Sequence, residues 1–141
     1  MRLALWHGSL AAAGSDSAPA TAGYNLGSGW TGPLTAQVQS IDSLHNRVIH
    51  NDGTADTYTL VASAWTAPAG VYDTLAADGS GWKLTRKDAS YMKFDSSGRL
   101  KSAGDSAGLE ILVNYEVEPG GNTRIASIVD AAGRTVSFSY Q

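Results

Sequence analysis

The sequence predicts an all-β protein, an antiparallel meander of consecutive hairpins that forms a curved sheet. From Trp30 onward, short runs of β-forming residues alternate with turn residues, and no helical period separates them. The chain has 16 glycines and only 4 prolines, so frequent turns made mainly by Gly and Asp are expected. With 141 residues, 43% hydrophobic and 16% charged, it is long enough to bury the core of one globular domain.

An Ala/Gly/Ser-rich connector is expected over residues 1–23, followed by one β domain over residues 24–141. Turn residues separate the expected strands, as in "HNDG" at 50–53 and "EPGGN" at 118–122. Ten strands are predicted, near 34–41, 45–50, 56–62, 70–75, 81–86, 90–94, 99–103, 109–117, 123–129 and 134–141.

Alternation of apolar and polar residues is clearest in the last predicted strand. Val136, Phe138 and Tyr140 are expected on one face because successive strand side chains point to opposite sides. The strand at 109–117 alternates in the same way, although Leu112 interrupts its polar side. The sheet is therefore expected to bury one face and to leave the other face in water.

One turn pattern occurs three times. Aligning "LKSAGDSAGLEILVNYE" (100–116) with "IASIVDAAGRTVSFSYQ" (125–141) superimposes two Asp-x-x-Gly turns, and "DSSG" at 95–98 is a third copy. Asp at the first position can accept the backbone N–H two residues later, and Gly at the fourth accepts positive φ without a Cβ clash. The pattern predicts repeated hairpins. The residues assigned to these structural turns are Asp95, Gly98, Asp105, Gly108, Asp130 and Gly133.

The segment "FDSSGRLKSAGD" (94–105) resembles the signature of the RHS, or YD-repeat, protein family, an aromatic-Asp-x-x-Gly-Arg-Leu core with Phe94 here in place of the usual Tyr. "IASIVDAAGRTVSFSY" (125–140) is similar to the family's companion phrase. "LGSGWT" (26–31), "NDGTADTYTL" (51–60) and "GWKLTRKDASYMKFD" (81–95) resemble the segment before the first full repeats.

In that family, strands spiral into a hollow shell around a toxic C-terminal region. The resemblance implies the opening section of such a shell or a stand-alone remnant of one. It also implies a secreted or cell-surface location in bacteria, although His7 and Gly8 interrupt the N-terminal apolar run and no clear signal peptide is present. The implied partners are copies of the chain itself or the remainder of a larger RHS-type protein.

No catalytic constellation is visible, so the sequence predicts a protein that is not an enzyme. There is no G-x-S-x-G nucleophile motif, and His7, His45 and His50 are not spaced as zinc ligands. No calcium-loop motif occurs among the 13 acidic residues, and the absence of cysteine excludes thiolate sites and disulfides. Neither a cofactor nor a metal site is expected.

Aromatic residues support an alternative function, a carbohydrate-binding β module, because Trp and Tyr side chains on a sheet can stack on sugar rings. Trp65, in "SAWTAPAG", is expected to be the most exposed tryptophan and is the candidate ligand-binding residue. Trp30 and Trp82 lie beside glycines and are expected in the core.

Charge and hydropathy exclude two classes of partner. The net charge of −3 and the scattered bases give no basic stripe for nucleic acid, and no apolar run is long enough for a membrane span. Neither proline nor an inward charge blocks the last strand at 134–141. Because open strand edges pair with other chains, the sequence predicts a structural module that self-associates or binds partners through a sheet edge.

Overall fold

Residues 6–7, 30–31 and 34–139 are described by the computed structural model. Every secondary-structure element in those ranges is a strand, and every strand pair is antiparallel. The strands are β1 (Trp6–His7), β2 (Trp30–Thr31), β3 (Gln37–Ser40), β4 (His45–Ile49), β5 (Ala55–Val61), β6 (Ala64–Thr66), β7 (Thr74–Asp78), β8 (Gly81–Thr85), β9 (Tyr91–Phe94), β10 (Leu100–Gly104), β11 (Glu110–Val117), β12 (Thr123–Val129) and β13 (Thr135–Ser137).

The expected all-β meander is confirmed, and the chain divides it between two sheets. Strands β3 to β6 form a four-stranded sheet and β7 to β13 a seven-stranded sheet, each in sequence order. The division falls at 67–73, where Pro68 has no N–H for a strand ladder and Gly70 adopts a φ of +85°. A separate pair of strands, β1 and β2, joins residues 6–7 of the predicted connector to residues 30–31 of the predicted β domain. The rest of the connector at 1–23 lies outside the described residues.

From β3 onward, strand boundaries agree with prediction to within a few residues except on either side of the break, whereas β1 and β2 were not predicted. Strand β6 was not predicted, because β5 turns back at Ala62 and Ser63 with φ values of 48° and 68°, and neither residue is Gly or Asn. Strand β7 begins later than expected, since residues 70–73 form a loop.

Apolar faces of both sheets contribute to one core. Val38, Val48 and Tyr58 alternate with outward residues in the smaller sheet, and Leu84 and Ile128 are fully buried in the larger one. Side chains packed in this core cluster are Leu34, Ala36, Val38, Val48, Tyr58, Leu75, Leu84, Met92, Phe94, Leu100, Val113, Ile125 and Ile128.

A backbone contact links the sheets beside this core. The N–H of Val38, in β3, donates to the carbonyl oxygen of Gly98 at 2.9 Å, and Gln37 and Arg99 form an antiparallel bridge. Gly98 has a φ of +79°, and a Cβ placed on it would lie 1.7 Å from the carbonyl oxygen of Val38. The smaller sheet therefore meets the larger sheet at a position where only glycine fits.

The predicted half-buried character of β11 is confirmed. Val113 is buried and Ile111 and Tyr115 are half-buried on one face, whereas Leu112 and Asn114 are exposed on the other. The register of β12 shifts opposite Asn114 and Tyr115, which marks a bulge in the ladder. The last predicted strand ends earlier than expected, with Val136 exposed and Phe138 half-buried, and Tyr140 lies outside the described residues.

Candidate functional site

The three Asp-x-x-Gly turns share one geometry. In the turn at 95–99, the Asp95 N–H donates to the Arg99 carbonyl, the Gly98 N–H donates to the Asp95 carbonyl, and one Asp95 carboxylate oxygen accepts the N–H groups of Ser97 and Arg99. The turns that begin at Asp105 and Asp130 repeat these bonds. Gly98, Gly108 and Gly133 have φ values of 79°, 82° and 79°. These residues thus form the corners of the sheet.

The same backbone turn closes three further hairpins without Asp at its first position. It begins at His50, Arg86 and Glu118. In each turn the N–H of the first residue donates to the carbonyl of the fifth residue, and the N–H of the fourth residue donates to the carbonyl of the first. The left-handed fourth position is Gly53 in the first of these turns and Gly121 in the third, but it is Ala89, with a φ of 65°, in the second. The shared geometry of the Asp-containing turns was predicted from the sequence, and its extension to the turns at His50, Arg86 and Glu118 was not.

Hydrogen bonds lower the pKa of three carboxylates in these turns, those of Asp130, Asp52 and Asp88. The N–H of Arg134, together with the Arg134 guanidinium and the Ala132 N–H, lowers the pKa of Asp130 below its ordinary value. The hydroxyl and N–H of Thr54 lower the pKa of Asp52, and those of Ser90 lower the pKa of Asp88 in the same way. At neutral pH these three carboxylates are therefore ionised and accept the hydrogen bonds of their turns.

Among the tryptophans, Trp65 and Trp82 are half-buried and pack against the core cluster. Trp65 is thus less exposed than expected for a ligand-binding residue, because its side chain packs against the core cluster. The side chains of Trp6 and Trp30 lie outside the described residues. Among the aromatic side chains that the structure describes, the exposed one is instead Tyr72, at 74% exposure, in the loop between the sheets.

Tyr72 lines an open cleft of about 520 Å³. Three segments form this cleft: the turn from β4 to β5 with the start of β5, the loop between the sheets, and the turn from β8 to β9. The lining residues are His50, Asn51, Asp52, Thr54, Asp56, Gly70, Val71, Tyr72, Asp73, Arg86 and Lys87.

Within the cleft, Nε2 of His50 lies 2.7 Å from Oδ2 of Asp56, and the His50 side chain is only 13% exposed. Asp56 pairs across the ladder with Val48 and precedes the buried Tyr58 by two residues. The strand face that carries the core at Tyr58 therefore reaches the cleft at Asp56. The positions of His50 and Asp56 on either side of the "NDG" turn were the available signal in the sequence.

Tyr58 attaches the loop between the sheets to the wall of the cleft. Its hydroxyl donates to the backbone carbonyl of Asp73 at 3.1 Å, from a side chain that is fully buried. Burial, with smaller contributions from the charges of Asp73 and Asp56, raises the pKa of Tyr58 to about 12. The N–H of Val71 bonds the carbonyl of Pro68 at 3.1 Å, which closes the loop locally. Tyr72 thus extends from a loop that is tied at both sides.

Lys and Arg side chains complete the cleft. The Lys87 ammonium lies 5.2 Å from the centroid of the Tyr72 ring, within cation–π range. In the described part of the chain, the Arg86 guanidinium forms no ion pair or side-chain hydrogen bond, whereas Arg99, Arg124 and Arg134 each contact a carboxylate.

The second candidate site is the edge of the larger sheet. Strand β13 pairs with β12, and among the described residues it has no strand on its other side. The Phe138 N–H donates to Ala126 in β12, so strand alternation directs the backbone N–H and C=O of Thr135 and Ser137 away from β12. All three residues of β13 are exposed, and Val136 adds an apolar side chain at 41% exposure.

Two further classes of site were searched in the described ranges. No group of three or more His or acidic residues is placed to hold a metal ion there. No helix in that part of the chain is long and apolar enough to cross a membrane. No protein-family model, curated protein or solved structure matches the chain.

Proposed function

We propose that this chain is a non-catalytic structural module that builds a β-sheet and extends it by pairing through strand β13. The observation that carries the proposal is the edge at Thr135–Ser137, which is exposed and has backbone donors and acceptors directed outward. Its partner is a second copy of the chain or the next strands of a larger RHS-type protein. The resemblance to that family extends the proposal to a secreted or cell-surface location in bacteria.

Regular turns support a sheet-building role. Six hairpins close with one backbone turn, so successive strands are added to the sheet by the same local geometry. The edge strand β13 has the same spacing of outward backbone N–H and C=O groups with which each inner strand bonds to its neighbour. A strand from a second copy can therefore continue the sheet without a new type of contact.

Sedimentation equilibrium over a roughly hundredfold range of concentration tests this proposal, because mass action favours the associated form at high concentration. The wild-type protein is expected to form dimers or larger species. Val136→Lys places a charge on the edge strand, and Ser137→Pro removes an outward N–H, so both are expected to shift the equilibrium toward monomer. Val117→Lys, at an exposed position outside β13, is the matched control and is expected to leave association unchanged.

Two results would contradict the proposal. One is a strict monomer at all concentrations. The other is association that the two β13 variants and the Val117 control affect equally, since pairing through β13 predicts a difference between them.

A further inference from the structure

We propose that the cleft between residues 50–56, 70–73 and 86–87 binds a short saccharide that carries an acidic group. In this site Tyr72 is the stacking platform, Arg86 binds the acidic group, and Asp73 accepts hydrogen bonds from sugar hydroxyls. The proposal concerns a surface separate from β13 and does not depend on pairing through that strand.

Size and shape suit a ligand of a few rings. A volume of about 520 Å³ lies within the range of small-molecule sites, and the cleft is open to solvent along its length. Val71 is the only aliphatic side chain larger than a methyl group among its lining residues. A hydroxyl-rich ligand therefore matches the lining better than an apolar one.

Tyr72 offers a preorganised stacking surface. Its side chain is 74% exposed with only Lys87 near its ring, whereas Tyr91 is half-buried with both Lys83 and Lys93 over its ring. The loop that carries Tyr72 is anchored by the Tyr58 hydroxyl bond to Asp73, so little freedom is lost when a ligand binds. The C–H face of a sugar ring can pack on such an aromatic surface.

Charge in the cleft distinguishes an acidic saccharide from other ligands. The Arg86 guanidinium lies close enough to Asp88 to help the Ser90 hydrogen bonds lower the pKa of that carboxyl. Within the described residues, however, Arg86 forms no ion pair or side-chain hydrogen bond, and it can form a two-pronged contact with a carboxylate or sulfate. Lys87 adds a second positive charge beside it. Three aspartates, Asp52, Asp56 and Asp73, also line the cleft and outnumber its two bases, so a ligand with a charge on every unit, such as a nucleic-acid backbone, would be repelled, whereas a single acidic group can be bound by Arg86. The arrangement suits a ligand with many hydroxyls and one acidic group.

The His50–Asp56 pair stabilises the wall of this site. Its hydrogen bond fixes the imidazole and occupies one Asp56 oxygen, which leaves the other carboxylate oxygen to accept a ligand hydroxyl. Asp73 has no side-chain hydrogen bond in the described part of the chain, so both of its carboxylate oxygens are available.

A glycan array tests the proposal, provided that it pairs uronate-containing, sialylated and sulfated glycans with their neutral counterparts. Wild-type protein is expected to bind acidic glycans at least about tenfold more tightly than the neutral partners, a difference of about 1.4 kcal/mol. Tyr72→Ala and Arg86→Gln are each expected to lose about tenfold or more in affinity for the same acidic glycans. Circular dichroism melting confirms that each variant is folded.

Lys101→Gln is the matched control, because it removes one positive charge from an exposed position in β10 and outside the cleft. It is expected to bind like the wild type. The proposal is overturned if no acidic glycan binds above its neutral counterpart, or if Arg86→Gln and Lys101→Gln reduce binding equally.

Discussion

Replacing Gly98 with Ala isolates the contact that joins the two sheets. Gly98, Gly108 and Gly133 occupy the same position in the same turn, with φ values of 79°, 82° and 79°. A Cβ at Gly108 or Gly133 meets nothing within 4 Å, but at Gly98 it lies 1.7 Å from the carbonyl oxygen of Val38. The three variants share the backbone strain, and only Gly98→Ala adds a collision with backbone.

The magnitudes follow from that difference. Left-handed backbone costs an Ala residue roughly 1–2 kcal/mol, and the lower entropy of the unfolded chain returns roughly 0.4–1 kcal/mol. Gly108→Ala and Gly133→Ala should therefore lower the free energy of unfolding by about 1 kcal/mol. Gly98→Ala must also displace β3 and break the Val38–Gly98 hydrogen bond, which adds roughly 1–3 kcal/mol if the buried groups remain unpaired. Its total should reach about 3 kcal/mol.

Urea unfolding followed by tryptophan fluorescence measures all three variants, because Trp65 and Trp82 lie in different sheets and pack against the core. The free energy of unfolding is expected to be far lower for Gly98→Ala than for the wild type. The values for Gly108→Ala and Gly133→Ala are expected to lie close to each other. If Gly98→Ala matches Gly133→Ala to within about 0.5 kcal/mol, the contact between β3 and Gly98 does not stabilise the fold, and the reasoning is wrong.

Three other changes test separate parts of the structure. Ala89→Gly should raise the free energy of unfolding by up to about 1 kcal/mol, since Ala89 occupies a left-handed position, and a loss of stability in urea would contradict this. Tyr58→Phe should cost about 1 kcal/mol at pH 7. Because the Tyr58 pKa is raised in the folded protein, its protonated hydroxyl contributes roughly 2–3 kcal/mol to stability below pH 10, and this contribution is lost as the pH rises to about 12. The wild type should show this loss and Tyr58→Phe should not. Stability curves of the two proteins that stay parallel over this pH range would contradict the prediction. Asp130→Ala should lower the urea midpoint at pH 7. This difference from the wild type should shrink as pH falls below 3.8, because the Asp130 carboxylate, whose pKa is lowered in the folded protein, stabilises the fold only while it is ionised. A difference that does not change with pH would exclude that cause.

Local chemistry explains which parts of the fold were predictable. The turns at Asp95, Asp105 and Asp130 depend on residues a few positions apart, so a single sequence reveals them. The turn at Ala62 and Ser63 has no Gly or Asn, so sequence gave no sign of the return that produces β6. Positive φ at both residues is the geometry of a two-residue turn that pairs Val61 with Ala64, and neither Ala nor Ser prefers it locally.

The cleft was not predictable for a different reason. His50, Tyr72 and Arg86 come from three segments that share no motif, and only the folding of the smaller sheet toward the larger one brings them together. Trp65 is expected from the sequence to be exposed, but the residues that flank it do not show that its ring packs against the core. Tyr72, within the Pro- and Gly-containing loop at 67–73, was the better candidate.

Because six hairpins close with the same backbone turn, the polypeptide can change in length in a regular way. Inserting or deleting two strands together leaves the chain direction and the ladder spacing intact at the junction. Duplication or loss of a coding segment of that size would thus preserve a foldable product, and growth in steps of one hairpin is the simplest route by which a gene could enlarge this architecture.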